Sequence, residues 1–356
     1  MANIQKLFCV LLAAVFAVAP AFAQNYQGNL TQTGDWLATQ QRSVGAILYT
    51  PTQINPYFAN LAAIGWLKDN KTNRIPAVEA WMNWYIAHLN WPDYKGIYGT
   101  VYNYTVSDGV ETSTGSYDSA DSYAATFLSL AEALYNTGDS GGQAFVQNTI
   151  GEHDPNVMGN IVTNLQQTNG LVFAKPDYQI EYLIDNSEDY RGLSDFANLA
   201  TQAWDDTATT NWYDAHASSI QSGIQTVLYI SSTKLYYLYV GSAAPNMSTF
   251  YPDAVSQLYP AINGVVSGGQ AKSSYTKFKS AWPEWPHLSF TNQANPFPWC
   301  VISYAGYLVG DTLNVNRYIK TIQKDYVDVS PQFPWPFYDA EGGWFMRTNA
   351  AMGGLK

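Results

Sequence analysis

Cysteine and charge are scarce in this sequence. It has two cysteines among 356 residues, and Cys9 lies inside an N-terminal apolar segment, so Cys300 has no partner for an internal disulfide in the mature chain. Charged residues make up 13% of the chain, and 17 Lys and Arg against 28 Asp and Glu give a formal net charge of −11. Nucleic acids and anionic membrane surfaces require clustered basic residues, so this composition argues against both as partners.

Histidine is also rare, and common cofactor motifs are absent from the sequence. His88, His153, His216 and His287 show no paired metal-ligand spacing. No Gly-Xaa-Ser-Xaa-Gly elbow and no glycine-rich phosphate loop is present. We therefore expect neither a metal nor another cofactor, which argues against a zinc hydrolase, a serine hydrolase of the elbow type and a nucleotide-binding enzyme.

Aromatic residues are abundant instead, at 15% of the chain, with 12 Trp and 27 Tyr. A chain with few charges uses some of these rings to fill its core. Tyr and Trp also combine a flat apolar face with a polar edge, which suits sugar rings and their hydroxyl rims. The composition therefore favours a carbohydrate polymer or oligosaccharide as the partner.

The N-terminus has the pattern of an export signal. Lys6 precedes an apolar core at residues 7–19, and Ala21-Phe22-Ala23 is a small-residue cleavage site. We expect cleavage after Ala23 and a secreted or periplasmic protein that does not insert into a membrane. Residues 24–356 contain no low-complexity linker, so we expect one domain, acting as a monomer.

Apolar residues recur at helical spacing in about eleven segments. The predicted helices lie at 33–49, 56–69, 76–90, 120–137, 143–167, 186–204, 210–229, 253–266, 271–282, 297–310 and 314–328. Five long, aromatic-rich connections fall at every second junction, at 91–118, 168–184, 230–251, 283–295 and 329–344. Helices that run up and down place alternate junctions at the same end, so we expect one elaborated end and one plain end.

Two of the long connections contain strand patterns. Residues 97–115 alternate polar and apolar side chains around Asp108-Gly109, which is a strong signal for a β-hairpin. Residues 233–240 predict a further strand. Residues 331–345 are rich in aromatics and proline, and the sequence predicts a loop there.

One of the predicted helices begins with a pattern known from a family of folds. Residues 118–131 resemble the inner-helix start of six-hairpin glycosidases, including family 8 of the glycoside hydrolases. The resemblance implies an all-α (α/α)6 toroid of eleven to twelve helices with β-hairpin loops on one face. A superhelical stack of hairpins is the alternative, although the chain shows no repeated consensus. The acidic Ser-Glu-Gly motif of family 8 is missing, since residues 55–57 read Asn-Pro-Tyr, so that family's acid is not carried over.

Carboxylates cluster where three predicted helices start on the elaborated end. Asp118 with Asp121, and Asp185 with Glu188, are spaced i and i+3, which would place each pair on one helical face. Glycoside hydrolysis needs one carboxylic acid and one carboxylate, and crowding separates their pKa values. Our hypothesis is Glu188 or Asp185 as general acid and Asp121 or Asp118 as general base or ring-orienting carboxylate. Asp253 is a supporting or alternative base in this hypothesis. Helix capping is the alternative role for each group.

The sequence also indicates residues that would contact a sugar. They lie in or beside the long connections and are Tyr117, Tyr123, Tyr190, Trp285, Trp299, Trp335, Trp344 and Glu341. Together with the resemblance, they predict a secreted glycoside hydrolase acting on a neutral or amino-sugar glycan. Two alternatives stay open: a polysaccharide lyase on the same toroid, using His216 or His287 with a tyrosine base, and a non-catalytic glycan-binding or exopolysaccharide protein.

Overall fold

The computed structural model describes residues 25–151, 156–329 and 333–355, so the predicted export signal lies outside the described residues. The α-helices are α1 Tyr26–Gln40, α2 Pro56–Trp66, α3 Arg74–Ala87, α4 Ala120–Tyr135, α5 Ser140–Phe145, α6 Asn156–Leu165, α7 Leu183–Trp204, α8 Thr207–Gly223, α9 Tyr259–Ile262, α10 Gly268–Ala281, α11 Val301–Leu308, α12 Thr312–Ile322 and α13 Asp339–Gly353. The strands are β1 Gln53–Ile54, β2 Tyr104–Ser107, β3 Val110–Ser113, β4 Tyr229–Ile230 and β5 Leu235–Tyr236. None of the helices in the described ranges is both long and apolar enough to cross a bilayer.

Six of these helices form a closed inner ring. In chain order, α2, α4, α7, α9, α11 and α13 each contact the next, and α13 returns to contact α2. Most of the remaining helices pack outside this ring, α6 on α4, α8 on α7 and α12 on α11. The contact between the last and the first inner helix excludes an open superhelical stack. The predicted (α/α)6 toroid is therefore confirmed.

Residue size and periodicity explain which helices lie inside. At the closure of the ring, a methyl group at Gly65 of α2 would overlap the carbonyl oxygen of Gly343 in α13, so the two backbones approach as only glycine permits. The outer helix α12 instead buries one stripe, at Val315, Tyr318 and Ile322, with polar residues opposite. Close backbone packing thus characterises the inner helices α2 and α13, and amphipathic spacing characterises the outer helix α12.

The connections are long at one end of the ring and short at the other. Residues 88–119 link outer α3 to inner α4, whereas Asp205 and Asp206 alone separate inner α7 from outer α8. Six long connections lead into the six inner helices, one more than the sequence predicted. The additional one, residues 41–55, includes β1, which pairs with β2. The expectation of one elaborated end is confirmed.

The hairpin prediction is also confirmed. Strands β2 and β3 pair antiparallel from Tyr104 opposite Ser113 to Ser107 opposite Val110. The turn residues Asp108 and Gly109 have φ of 50° and 79°, as the right-handed twist of a two-residue hairpin turn requires. The second predicted strand is shorter than expected, since β5 spans two residues and pairs with β4.

Several helix boundaries differ from the prediction. The prediction of a loop at residues 331–345 is wrong from Asp339 onward, because α13 begins there; Gly342 and Gly343 lower helix propensity, but packing against α2 outweighs that cost. The first helix lies at Tyr26–Gln40 rather than 33–49. The predicted helix at 253–266 is reduced to α9 after a π-helical turn at Phe250–Ala254. Within the predicted helix at 143–167, the described residues form the end of α5, a π-helical turn and α6, and residues 152–155 lie outside the described residues.

Candidate active site

A cleft of about 1020 Å³ opens at the elaborated end, where the inner helices begin. All six long connections contribute residues to its lining. Its walls are largely aromatic, and they include Tyr49, Tyr57, Phe58, Tyr123, Tyr182, Tyr251, Tyr259, Phe297, Trp299, Tyr338 and Trp344. Five carboxyl groups, those of Asp118, Asp177, Asp185, Glu188 and Glu341, also line it. The cleft thus combines apolar ring faces with several acids.

Glu188 is buried and held by one hydrogen bond. Its side chain is 5% exposed, and the Tyr57 hydroxyl donates to Oε1 at 2.6 Å. Burial raises the pKa of Glu188 to about 8, with a further increase from the charge of Asp185, while the Tyr57 bond acts in the opposite direction. Glu188 is therefore mostly protonated at neutral pH and can donate a proton. Sequence reasoning missed Tyr57, although its place in the first turn of an inner helix was a usable signal.

Asp185 lies one helical turn before Glu188 and lines the same cleft, as the i, i+3 spacing predicted. Burial among the surrounding protein raises its pKa to about 7, and the charge of the exposed Asp118 adds to this effect. Neither α4 nor α7 has a side-chain hydrogen bond at its N-cap, so the capping alternative does not account for these acids. The structure brings Asp118, Asp185 and Glu188 together.

Asp121 does not line the cleft; it lies behind the wall. It is fully buried, and its Oδ1 accepts hydrogen bonds from the Ser119 hydroxyl and from the Ser122 amide at 2.8 Å. Ser119 also lies 3.4 Å from Oδ2 of Asp185, so it links the buried acid to the cleft. Oδ2 of Asp121 and both carboxyl oxygens of Asp189 have no hydrogen-bond donor. This arrangement supports the cleft from behind, and sequence reasoning assigned no role to Asp189.

The buried pair of Asp121 and Asp189 is expected to be neutral. Desolvation raises both pKa values well above the usual range; Asp185 adds to the shift at Asp121, and Asp121 to the shift at Asp189. A shared proton would satisfy oxygens that have no other donor. Because these pKa values are higher in the folded than in the unfolded chain, the pair stabilises the fold at low pH. That contribution is lost as pH rises above about 4 toward the folded pKa values.

We therefore expect Asp189→Asn to change how stability depends on pH. The melting temperature of the variant should rise relative to that of the wild type as pH increases from about 4 to about 8. Each unit of pKa shift that the substitution removes corresponds to about 1.4 kcal/mol of unfolding free energy. Differential scanning across this range measures the gap. Asp214→Asn, at an exposed site on α8, is the control. If melting temperature depends on pH in the same way for wild type and Asp189→Asn, the pair binds no extra proton in the folded state.

Glu341 lies in the first turn of α13, and its carboxylate faces the start of α11. Its side chain is 3% exposed, and its two oxygens accept the backbone amides of Trp299 at 3.1 Å and Cys300 at 2.6 Å. Burial raises its pKa to about 7, and these amide bonds oppose the rise because they stabilise the ionised form. They also hold Trp299, whose φ of 55° is unusual for so bulky a residue.

Tyr259 lines the cleft together with the two glutamates, Glu188 and Glu341. Burial raises the pKa of its hydroxyl well above the usual range, and the charges of Glu188 and Glu341 both raise it further. Glu188 and Glu341 therefore line one cleft and both act on the charge state of the same hydroxyl. A protonated acid and an amide-stabilised carboxylate share this part of the cleft.

Of the remaining predicted site residues, some line the cleft and others lie outside its lining. Tyr123, Trp299 and Trp344 line the cleft, whereas Asp253, Tyr117, Tyr190, Trp285 and Trp335 do not. Asp253 accepts the Asn246 amide at 2.6 Å within its own connection. Trp285 is fully buried, and Tyr117 is buried with its hydroxyl bonded to Asp93. Tyr190 is half-buried on α7, and Trp335 is exposed and packs on Tyr49 and Phe297.

A second cavity, of about 1080 Å³, opens at the plain end. It shares Leu61, Glu188 and Trp344 with the cleft, so a single layer of side chains separates the two. Arg347 lies in the plain-end cavity and stacks on Trp344, with 3.9 Å from the guanidinium carbon to the ring centroid. This stacking supports Trp344, a residue of the cleft wall, from the side of the plain-end cavity. In the parts of the chain that the structure describes, no three His, Cys, Asp or Glu side chains are grouped to hold a metal ion.

Of three comparisons with known proteins, only the one with solved structures found matches, and these matches support the fold. No family model matches the chain. No curated protein matches it either. Among solved structures, a glycosidase variant in complex with glucose aligns at TM-score 0.64 and 11% identity over 93% of this chain and 98% of that one. A reducing-end-xylose releasing exo-oligoxylanase variant with xylobiose aligns at 0.62 and 12%, covering 92% of each chain. The GH76 α-mannanase of Bacteroides thetaiotaomicron aligns at 0.57 and 11%, over 91% and 95%. This chain has their toroid fold.

Proposed function

We propose that this protein is an exported glycoside hydrolase that cleaves a neutral or amino-sugar glycan. The observation that carries the proposal is the pairing, inside one aromatic-walled cleft, of a protonated Glu188 with further carboxylates. The placement of the cleft on a toroid shared with glycosidases supports it. Export is proposed from the N-terminal signal pattern, and N-terminal sequencing of protein recovered outside the cytoplasm tests it.

Glu188 is the proposed general acid. Tyr57 donates to Oε1, so in this proposal the proton of the neutral carboxyl group is on Oε2, from which it is transferred to the glycosidic oxygen. Once that proton is transferred, the Tyr57 hydroxyl stabilises the carboxylate that remains. The hydrogen bond therefore fixes the geometry of the acid and lowers the cost of its ionisation.

Glu341 is the proposed second carboxylate. Its two backbone amide donors stabilise the negative charge, and it lines the same cleft as Glu188. In this role it activates water or attacks the sugar, depending on its separation from the acid. Asp118 and Asp185 line the same cleft and are the alternatives. Burial, with a smaller contribution from the charge of Asp118, raises the pKa of Asp185 to about 7.

The charge of the cleft favours a substrate without carboxylates. Of the described residues that line it, Lys175 alone is basic, and its ammonium group donates to the Tyr117 carbonyl at 3.0 Å. A lyase acting on a uronic acid needs a cation to neutralise the substrate carboxylate. The histidines considered for that role lie elsewhere, His216 on outer helix α8 and His287 outside the cleft lining. A neutral or amino-sugar glycan is therefore the proposed substrate class.

Release of reducing ends from a polysaccharide panel tests the proposal. The panel contains xylan, α-mannan, mixed-linkage β-glucan, chitosan and pectate. We expect the protein to release reducing ends from at least one neutral or amino-sugar polymer, and the Glu188→Gln variant to release none above background. Release from pectate with ultraviolet absorbance of a new double bond would identify a lyase instead. Binding without release from any polymer would overturn the proposal in favour of a glycan-binding protein.

A further inference from the structure

Two aromatic side chains stand exposed on the connection before α4, outside the cleft lining. Trp91 and Tyr98 are each 54% exposed, and their ring centroids lie 6.1 Å apart with 54° between the planes. Large apolar rings displayed as a pair present a contiguous apolar surface to water, which is a feature of binding sites rather than of isolated surface residues.

The backbone beside this pair is held by hydrogen bonds to a buried carboxylate, that of Asp93. Asp93 is 8% exposed, and its Oδ1 accepts the amides of Lys95 at 2.7 Å and Ile97 at 2.9 Å. Its Oδ2 accepts the hydroxyls of Thr100 at 2.9 Å and Tyr117 at 2.7 Å. Four donors on one buried carboxylate hold the loop at residues 93–100, which carries Tyr98 and lies just after Trp91. The rings are therefore presented to a ligand at little further entropic cost.

The same segment joins the rim of the cleft. The Lys95 ammonium lies 3.1 Å from Oδ2 of Asp177, and the Tyr94 hydroxyl donates to Asp177 at 3.3 Å. Asp177 lines the cleft, and its neighbour Tyr178, 48% exposed, lines it as well. Tyr94, which is 47% exposed, thus links the segment that carries the pair to the cleft edge through its bond to Asp177.

We propose that Trp91 and Tyr98 form an outer sugar-binding site, which holds a distant unit of a neutral glycan chain while other units occupy the cleft. The inference rests on the proposed function for its ligand class. The chemistry of the site supports a neutral sugar, because the one cation of the segment, Lys95, is already paired with Asp177 and stacked near the Tyr94 ring. What remains exposed is ring surface, which stacks on the CH faces of sugars.

The test compares a long with a short substrate in the Trp91→Ala/Tyr98→Ala double variant. For the polymer of the panel that the wild type cleaves fastest, we expect KM to rise about tenfold, the loss expected from two stacking contacts. The kcat on that polymer and kcat/KM on a short oligosaccharide of the same sugar should stay within about twofold of wild type, since the cleft is untouched. Trp212→Ala is the matched control, because Trp212 is 56% exposed on outer helix α8.

Affinity electrophoresis in gels containing each polymer separates this inference from the proposed hydrolase activity. Glu188→Gln protein should be retarded by a neutral polymer, and the added double substitution should remove most of the retardation. This readout needs no turnover, so it holds even if no polymer is cleaved. Unchanged retardation, an unchanged polymer KM, or an equal loss on polymer and short oligosaccharide would each overturn the outer site.

Discussion

The Glu188→Gln variant is expected to lose about a thousandfold in kcat on natural glycosides, the loss typical when a general acid is removed. Glutamine keeps the shape of the side chain and an oxygen that accepts the Tyr57 hydroxyl, but it has no acidic proton. Folding should be unaffected, because an uncharged group replaces an acid that is already mostly neutral at pH 7. The measurement is kcat on an oligosaccharide alongside the melting temperature.

An aryl glycoside with a strongly acidic leaving group sharpens this test. Such a leaving group departs without protonation, so Glu188→Gln should retain most of the wild-type rate of glycosidic cleavage on it. The matched control is Glu132→Gln, which changes a half-buried glutamate that lines the plain-end cavity and whose pKa burial raises to about 7. That variant should turn over normally. Near wild-type activity of Glu188→Gln on natural glycosides would refute its assignment as the acid.

The second large effect concerns Glu341 and the pH dependence of turnover. Glu341 must be ionised and Glu188 protonated, so kcat/KM of the wild type should fall below about pH 7 and above about pH 8. Glu341→Gln should lower kcat by about a hundredfold or more and remove the acidic limb. It should also cost about 1–3 kcal/mol of stability, because an amide oxygen cannot accept both the Trp299 and the Cys300 amides as the carboxylate does.

Asp118→Asn and Asp185→Asn decide whether Glu341 is assigned correctly. These two variants alter the neighbouring acids of the same cleft and leave the two amide bonds of Glu341 intact. We expect each to shift the pH profile and to retain more activity than Glu341→Gln. A larger loss in Asp118→Asn, together with disappearance of the acidic limb in that variant, would transfer the role of second carboxylate from Glu341 to Asp118.

The acids show how far local spacing predicts a site. Asp185 and Glu188 both lie within α7, so their i, i+3 spacing places them on one face, as predicted. Asp118 and Asp121 have the same spacing, but α4 begins at Ala120, so Asp118 lies before the helix and the rule does not apply to that pair. Asp118 consequently faces the cleft and Asp121 the interior.

Residues without a distinctive local pattern could not be found in this way. Tyr57 is one of 27 tyrosines, and its importance comes from a hydrogen bond to a residue 131 positions away. Glu341 was recognised as a sugar-contacting candidate from its glycine-rich surroundings, yet its two amide donors belong to the start of another helix. Contacts across such separations depend on how helices pack, which periodicity does not encode.

The amino-acid sequence by itself determined the helical class, the alternation of long and short connections, and the gathering of aromatics and acids at one end. These follow from periodicity, turn residues and composition, which are local properties. Tertiary structure alone decided that α13 closes the ring on α2 and which acids are dehydrated enough to hold a proton near neutral pH. The reason is physical: a pKa depends on burial and on neighbouring charges, and both arise only when helices distant in the chain come into contact.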